Sequence, residues 1–223
     1  MKIEDCDFPK DLLYDVPHGT WAKWEDDNLR VGITGVLAWA SGPIHKVTFK
    51  PIGTEVQRGN SLGSFEGARL FDVVRSPVSG VLSETNDPLI TSPRLLNRDF
   101  YGSGWFAKIR PKDVNEAGDL SRLPPAEPVM AASLRERRVH CFAEFPDREM
   151  FEIGVECSAV LVRLNELITE SPVGTVVHVV SDDNTADIEM ERWSMDTGNP
   201  LIQSRRDGNL FHFIVKKKEG GKA

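Results

Sequence analysis

Between residues 64 and 80 the chain reads Ser-Phe-Glu-Gly-Ala-Arg-Leu-Phe-Asp-Val-Val-Arg-Ser-Pro-Val-Ser-Gly, which predicts a strand, a tight turn and a returning strand. Apolar residues recur on both sides of the turn. Glu66-Gly67-Ala68-Arg69 supplies the small and polar turn residues, and Ser76-Pro77-Val78-Ser79-Gly80 punctuates the exit. Such a hairpin displays its tip and needs a sheet to belong to. The neighbouring sequence supplies one, because short apolar runs separated by turn signals recur at 29–34, 46–49, 61–65, 70–74, 80–83 and 105–109. That pattern predicts a small all-β domain rather than βαβ units. Helical signals are confined to connections, one at 35–41 and one at 93–96 after Asp87-Pro88, and residues 51–56 form a tight corner.

Beyond the hairpin, His18-Gly19-Thr20-Trp21, Val31-Gly32-Ile33-Thr34, Asn86-Asp87-Pro88-Leu89, Ser92-Pro93-Arg94-Leu95-Leu96-Asn97 and Phe100-Tyr101-Gly102-Ser103-Gly104-Trp105-Phe106 stand in order along the chain. Together with the hairpin they resemble the glycine-cleavage H protein, whose Glu-Ser-Val-Lys-Ala turn carries lipoate and is followed by Pro-Val-Ser-Gly. The resemblance implies the barrel-sandwich hybrid of lipoyl and biotinyl carrier domains, with the carrier hairpin projecting from one end. Counted without a gap from Glu66 to Gly80, it also puts Arg69 at the position of the lipoyl lysine. A guanidinium with a pKa above 12 and delocalised lone pairs is not a nucleophile for amide formation. No lysine lies between Lys50 and Lys108 to take its place. The expectation is therefore an unmodified Arg69, no lipoyl or other cofactor, and packing roles for His18 and Trp21.

The 223 residues suffice for two small domains, and the expected division is an N-terminal extension 1–15, the H-protein-like domain 16–112, a linker 113–147, a second domain 148–217 and a tail 218–223. Within the linker, 113–120 predicts a short acidic closing helix, 123–128 a semi-rigid proline spacer, and the alternation of Val139, Cys141, Ala143 and Phe145 a strand. A net charge of −7 argues against a nucleic-acid surface, and Lys216, Lys217 and Lys218 read as a solvated strand end. The first eight residues carry no basic-then-apolar leader and no run approaches a membrane span, so the expected location is the cytoplasm. Cys6, Cys141 and Cys157 are odd in number and lack metal-ligand spacing, so neither a disulfide framework nor a metal site is expected, and Cys141 reads as a small buried hydrophobe.

The periodicity then changes. Residues 150–155 are strand-like. Val160, Leu161, Leu164, Leu167 and Ile168 form the apolar stripe of a helix over 158–170, and 174–180 is a valine-rich strand. Asp182-Asp183-Asn184 opens a second helix reaching Asp196, which Thr197-Gly198-Asn199-Pro200 stops. Strands at 201–204 and 210–215 pair across Asp207-Gly208. The order β-α-β-α-β-β predicts a two-layer α+β sandwich, so the fold class of the whole chain is mainly β followed by α+β.

That order, Val155-Glu156-Cys157 before the first helix, Val179-Val180-Ser181-Asp182-Asp183 after the second strand, Asp187-Ile188 and Gly198 resemble the TusA family of sulfur carriers, whose Cys-Pro-x-Pro cysteine holds a persulfide. Here the motif reads Cys157-Ser158-Ala159-Val160, with the cysteine kept and both prolines replaced. A thiol at a helix N-terminus faces open N–H groups and the positive end of the helix dipole, which favour thiolate. The sequence thus points to a sulfur carrier or relay accessory protein, transferase-like rather than a conventional enzyme, with Cys157 as the persulfide site. Its partners would be a sulfur donor or acceptor or lipoate-pathway enzymes. The rival is a non-catalytic scaffold or regulator whose altered carrier sites bind partners without covalent chemistry.

Overall fold

The computed structural model describes residues 1–221, so the last two residues of the expected tail lie outside the described residues. The chain divides into two compact units, Met1–Cys141 and Phe142–Ala223. In the first, strands β1 (Lys2–Ile3) and β2 (Cys6–Asp7) pair as a small ribbon, and β3 (Leu13–Asp15) leads through a 3₁₀ turn to β4 (Thr20–Glu25) and β5 (Asn28–Ile33). A short helix α1 (Gly35–Ala40) follows, then β6 (Ile44–Phe49), β7 (Glu55–Val56), β8 (Ser61–Gly67), β9 (Phe71–Arg75) and β10 (Gly80–Thr85). Helices α2 (Pro88–Thr91) and α3 (Leu95–Arg98) precede β11 (Ala107–Pro111), and α4 (Glu127–Glu136) completes the unit.

Two open antiparallel sheets result, one of six strands in the order β3-β4-β5-β11-β10-β7 and one of three in the order β6-β8-β9; among the described residues no barrel closes. Their inward faces meet over one core that includes Ala22, Leu29, Val31, Ile109, Val47, Leu62, Phe65 and Val74. The period-2 alternation of these strands accounts for the packing, since each apolar residue returns to the buried face. Trp21, next to Ala22 on β4, is buried on the other face of the six-stranded sheet, against Gly32 and Tyr101, its indole N–H donating to the Phe100 carbonyl at 2.9 Å.

In the segment after Pro111 the short acidic closing helix is present, as a 3₁₀ helix over Val114–Asp119, while two other expectations change. The proline-rich stretch opens α4, with Pro128 in the first turn, where its missing N–H costs nothing and its fixed φ suits the helix. Met130 and Leu134, one turn apart, are buried beneath it. Residues 139–145 form no strand, and Cys141 is joined by a disulfide to Cys6 across a Cα–Cα distance of 5.0 Å. The cysteines therefore do pair, contrary to the sequence reading, leaving Cys157 as the free thiol. Thiol titration of the unfolded chain should give one reactive group before reduction and three after; three before reduction would exclude the bond.

The second unit contains β12 (Arg148–Glu152), α5 (Cys157–Glu170), β13 (Val176–Ser181), α6 (Ala186–Thr197), β14 (Leu201–Asp207) and β15 (Leu210–Lys216). The sheet order is β12-β13-β15-β14, with β12 parallel to β13 and the other pairs antiparallel. Val177 and Val179 of β13 and Phe211, Phe213 and Val215 of β15 face the buried stripes of α5 (Val160, Leu164, Ile168) and α6 (Ala186, Met190, Trp193). Gly198 ends α6 at φ 74°, the left-handed stop that its sequence announced. Among the described residues no helix is long and apolar enough to cross a membrane.

Candidate functional site

Strands β8 and β9 form the expected hairpin, with Phe65 opposite Asp72 and Glu66 opposite Phe71. The turn Gly67-Ala68-Arg69-Leu70 is closed by the Gly67 N–H donating to the Leu70 carbonyl at 2.9 Å. Its tip does not stand free. The Ala68 N–H donates to Pro43 O and the Arg69 N–H to Ser41 O, each at 3.0 Å, and the Arg69 guanidinium donates to Trp39 O at 2.9 Å. Arg69 is thus fastened over the C-terminal end of α1, whose own last turn contains no basic residue. That end carries the partial negative charge of the aligned peptide dipoles, so an external guanidinium there is favourable.

Close approach makes this attachment possible. A Cβ on Gly67 would collide with the Ser41 carbonyl oxygen, and one on Gly42, which has φ 64°, would sit 3.1 Å from Arg69 Nε. The platform beneath is fixed by Asn97 of α3, which is 1% exposed. Its Oδ1 accepts from the Ile44 N–H at 2.7 Å, and its Nδ2 donates to Ala38 O at 3.1 Å and Gly42 O at 3.0 Å. Beside the tip, Lys46 Nζ lies 2.8 Å from Glu66 and its hydrogen bond holds the carboxyl below the usual range, with His45 adding a smaller attraction. Phe71 is exposed just beyond the turn. His18 is held by Asp15 at 2.8 Å.

In the second unit Cys157 is the first residue of α5, one residue earlier than the sequence stripe suggested, and is 4% exposed. Its backbone N–H, one of the donors expected to favour a thiolate, is instead bonded to the Asp183 carboxylate at 2.8 Å. Asp183 also accepts from the Thr185 N–H and hydroxyl at 2.8 Å each, and these bonds hold its carboxyl low and charged. Burial, then the negative charges of Asp183 and Glu189, push the Cys157 thiol up to about 11. The expected thiolate is therefore corrected: desolvation and two carboxylates outweigh the helix dipole, whose effect is about 0.3–2 kcal/mol. Arg69 and Cys157 lie in different units, and no relation between them is implied by either site.

One cluster had no sequence signal. His178 Nε2 and His212 Nδ1 lie 3.0 Å apart on neighbouring strands of the second unit, with Glu149 3.6 Å from His178 Nδ1. The residues are scattered along the sequence, and the sheet register brings them together: β12–β13 pairs Glu149 with His178, and β13–β15 pairs Val180 with His212 and His178 with Ile214.

Comparison with known proteins bears mainly on the first unit. Residues 12–131 match the family model described as glycine cleavage H-protein. Glycine cleavage system H protein 2 of Aquifex aeolicus is 35% identical over 159 residues, 70% of this chain and 92% of that protein. A glycine cleavage system H protein of Thermus thermophilus is 36% identical over 121 residues, covering 54% of this chain and 91% of the relative. The crystal structure of a glycine cleavage system H protein from Mycobacterium marinum matches 59% of this chain and 100% of its own at 26% identity, with a TM-score of 0.48.

Proposed function

Because this chain belongs to the glycine cleavage H-protein family, we propose that its lipoyl-type carrier domain works without a lipoyl arm, as a docking module for enzymes that recognise the H-protein fold. The reading takes Arg69 as the residue at the lipoyl position, on the ungapped resemblance from Glu66 to Gly80. The observation that carries the reading is the hydrogen bond from its guanidinium to the Trp39 carbonyl, which turns the side chain back onto α1 instead of outward. The backbone bonds of Ala68 and Arg69 hold the tip in the same place, so the surface offered to a partner is the rigid hairpin with exposed Phe71 beside it. Rigidity lowers the ordering cost of association, which suits a module that binds rather than delivers.

The test is covalent. Incubated with lipoate, ATP and a lipoate ligase, the unaltered protein should gain no mass. Arg69→Lys restores a primary amine but loses the fork geometry at Trp39 O, so partial addition of one lipoyl group is expected. A lipoyl adduct on the unaltered chain would overturn the armless reading. A pull-down with H-protein-binding enzymes that recovers none of them would overturn the docking part.

A second reading takes the protein as a sulfur relay, with unit 2 a TusA-like carrier. Its support is the place of Cys157 at the opening of α5. Transfer would require the α5 N-terminus to open, after which the Cys157 thiolate attacks the outer sulfur of a donor persulfide, forming Cys157–S–SH and releasing the donor thiolate. Burial and the neighbouring carboxylates favour the docking module over this reading.

A further inference from the structure

We infer that the first unit binds a free apolar α-amino acid in a cavity of about 470 Å³ between α4 and the turn that precedes β4. Its size falls within the roughly 300–1,000 Å³ of small-molecule sites. One wall is a single face of α4: Val129, Met130, Ala132, Ser133, Glu136 and Arg137 follow the spacing i, i+1, i+3, i+4, i+7, i+8. That face is graded, apolar at Val129 and Met130 and charged at Glu136 and Arg137, over about 12 Å of helix. The opposite wall is apolar at Val16, Pro17, Val36 and Leu37.

Two observations point to a ligand and to its chemistry. Thr34 lines the cavity at 2% exposure, yet its Oγ1 has no hydrogen-bond partner, and it makes no cap to α1 although it occupies the cap position. Oγ1 is directed toward Gly19 on the same wall, 3.8 Å from where a Cβ would stand there. A buried hydroxyl without a partner costs about 1–3 kcal/mol, which a ligand donor or acceptor would recover. At the polar end Glu136 and Arg137 are neighbours of opposite charge, and among the described residues neither has an ion-pair partner. A cation alone would leave Arg137 unmatched and an anion alone would leave Glu136 unmatched. A zwitterion matches both: its carboxylate takes the bidentate Arg137 fork, and its ammonium takes Glu136 and the nearby open carbonyls at the end of α4. The apolar walls then receive a side chain of the size of leucine, methionine or phenylalanine.

Neither Arg69 nor Cys157 lines this cavity, so the inference stands apart from the docking reading and its failure would leave that reading intact. The experiment is calorimetric titration of the full-length protein with L-leucine, L-methionine and L-phenylalanine, alongside glycine, isocaproate and isoamylamine. At least one of the three apolar amino acids should bind saturably. Glycine and the two analogues that each lack one charge should bind at least about tenfold more weakly, which is about 1.4 kcal/mol. Arg137→Met should remove the advantage of leucine over isoamylamine, and Glu136→Gln its advantage over isocaproate. Both positions are exposed, so folding is preserved. Absence of saturable binding by all three amino acids, or isocaproate binding as tightly as leucine, would overturn the inference.

Discussion

Native Cys157 is expected to react with a small disulfide reagent at pH 7.5 about 100-fold more slowly than the same cysteine in the urea-unfolded chain. The thiolate is the reacting form, and a rise from an ordinary value near 9 to about 11 removes about two decades of it at neutral pH. Burial adds further protection. The rate in the native protein should climb about tenfold per pH unit toward pH 11 with no neutral plateau. Asp183→Asn removes the nearer negative charge and should raise the rate at every pH below that value. The same shift links to stability. The folded pKa lies above the unfolded one, so the contribution is complete below about pH 9 and is lost as pH rises through 11. Its size is on the order of 2 kcal/mol, read as the difference between the unaltered protein and Cys157→Ala, which cancels the other titrations. A plateau in reactivity near pH 7, with a persulfide donor loading Cys157 in preference to any other site, would reverse the assignment and restore the sulfur relay.

Asn97→Ala should destabilise the first unit by about 3 kcal/mol. The substitution leaves the Ile44 N–H and the Ala38 and Gly42 carbonyls buried without their partner, at about 1–3 kcal/mol for a stranded group and with imperfect additivity. Four of the five tryptophans, Trp21, Trp24, Trp39 and Trp105, belong to this unit, so urea unfolding followed by their fluorescence reads it directly. The loss should also reach the hairpin: Ser41 and Pro43, which accept from the Arg69 and Ala68 amides, sit on the loop that Asn97 holds. Hydrogen exchange at those two amides should accelerate in the variant. Asn97→Asp keeps the acceptor for Ile44 but turns a carboxylate oxygen toward two carbonyls. Its stability should recover as pH falls and the carboxyl becomes a donor. A loss under about 1 kcal/mol for Asn97→Ala would mean that α1 and β6 hold the loop without it.

The longer strands from β5 to β11 fall close to the apolar runs, because burial of one sheet face is a local, period-2 signal. By contrast, β1 to β4 and the two-residue β7 were not legible, and β13, buried on both faces, shows a near-continuous apolar run instead of alternation. The hairpin and its turn were legible for that reason, and Gly198 marked the end of α6 through its own backbone preference. What the sequence hid was every feature that needs two distant elements. Nothing around Arg69 says that the end of α1 lies beneath it. Cys157 was correctly placed at a helix start, but the carboxylate that takes its N–H belongs to Asp183, after the next strand. Helix α4 was concealed differently: Pro124, Pro125 and Pro128 resemble a spacer, while Met130 and Leu134 supply only two buried positions to signal a helix. The Cys6–Cys141 pair joins residues 135 positions apart, a separation at which no local pattern operates.

That bond also decides how load would pass along the chain. Cys6 lies near the first residue of the unit and Cys141 is its last, so the disulfide bridges almost the whole carrier domain. Tension applied between Met1 and the second unit crosses five residues and then the sulfur bridge, bypassing both sheets, α1, α4 and the hairpin. The carrier domain is mechanically a loop hung beside the line of force. Tugging by an anchored partner on unit 2 leaves the Arg69 tip in register, and cutting the bridge would place the same sheets in series with the pull.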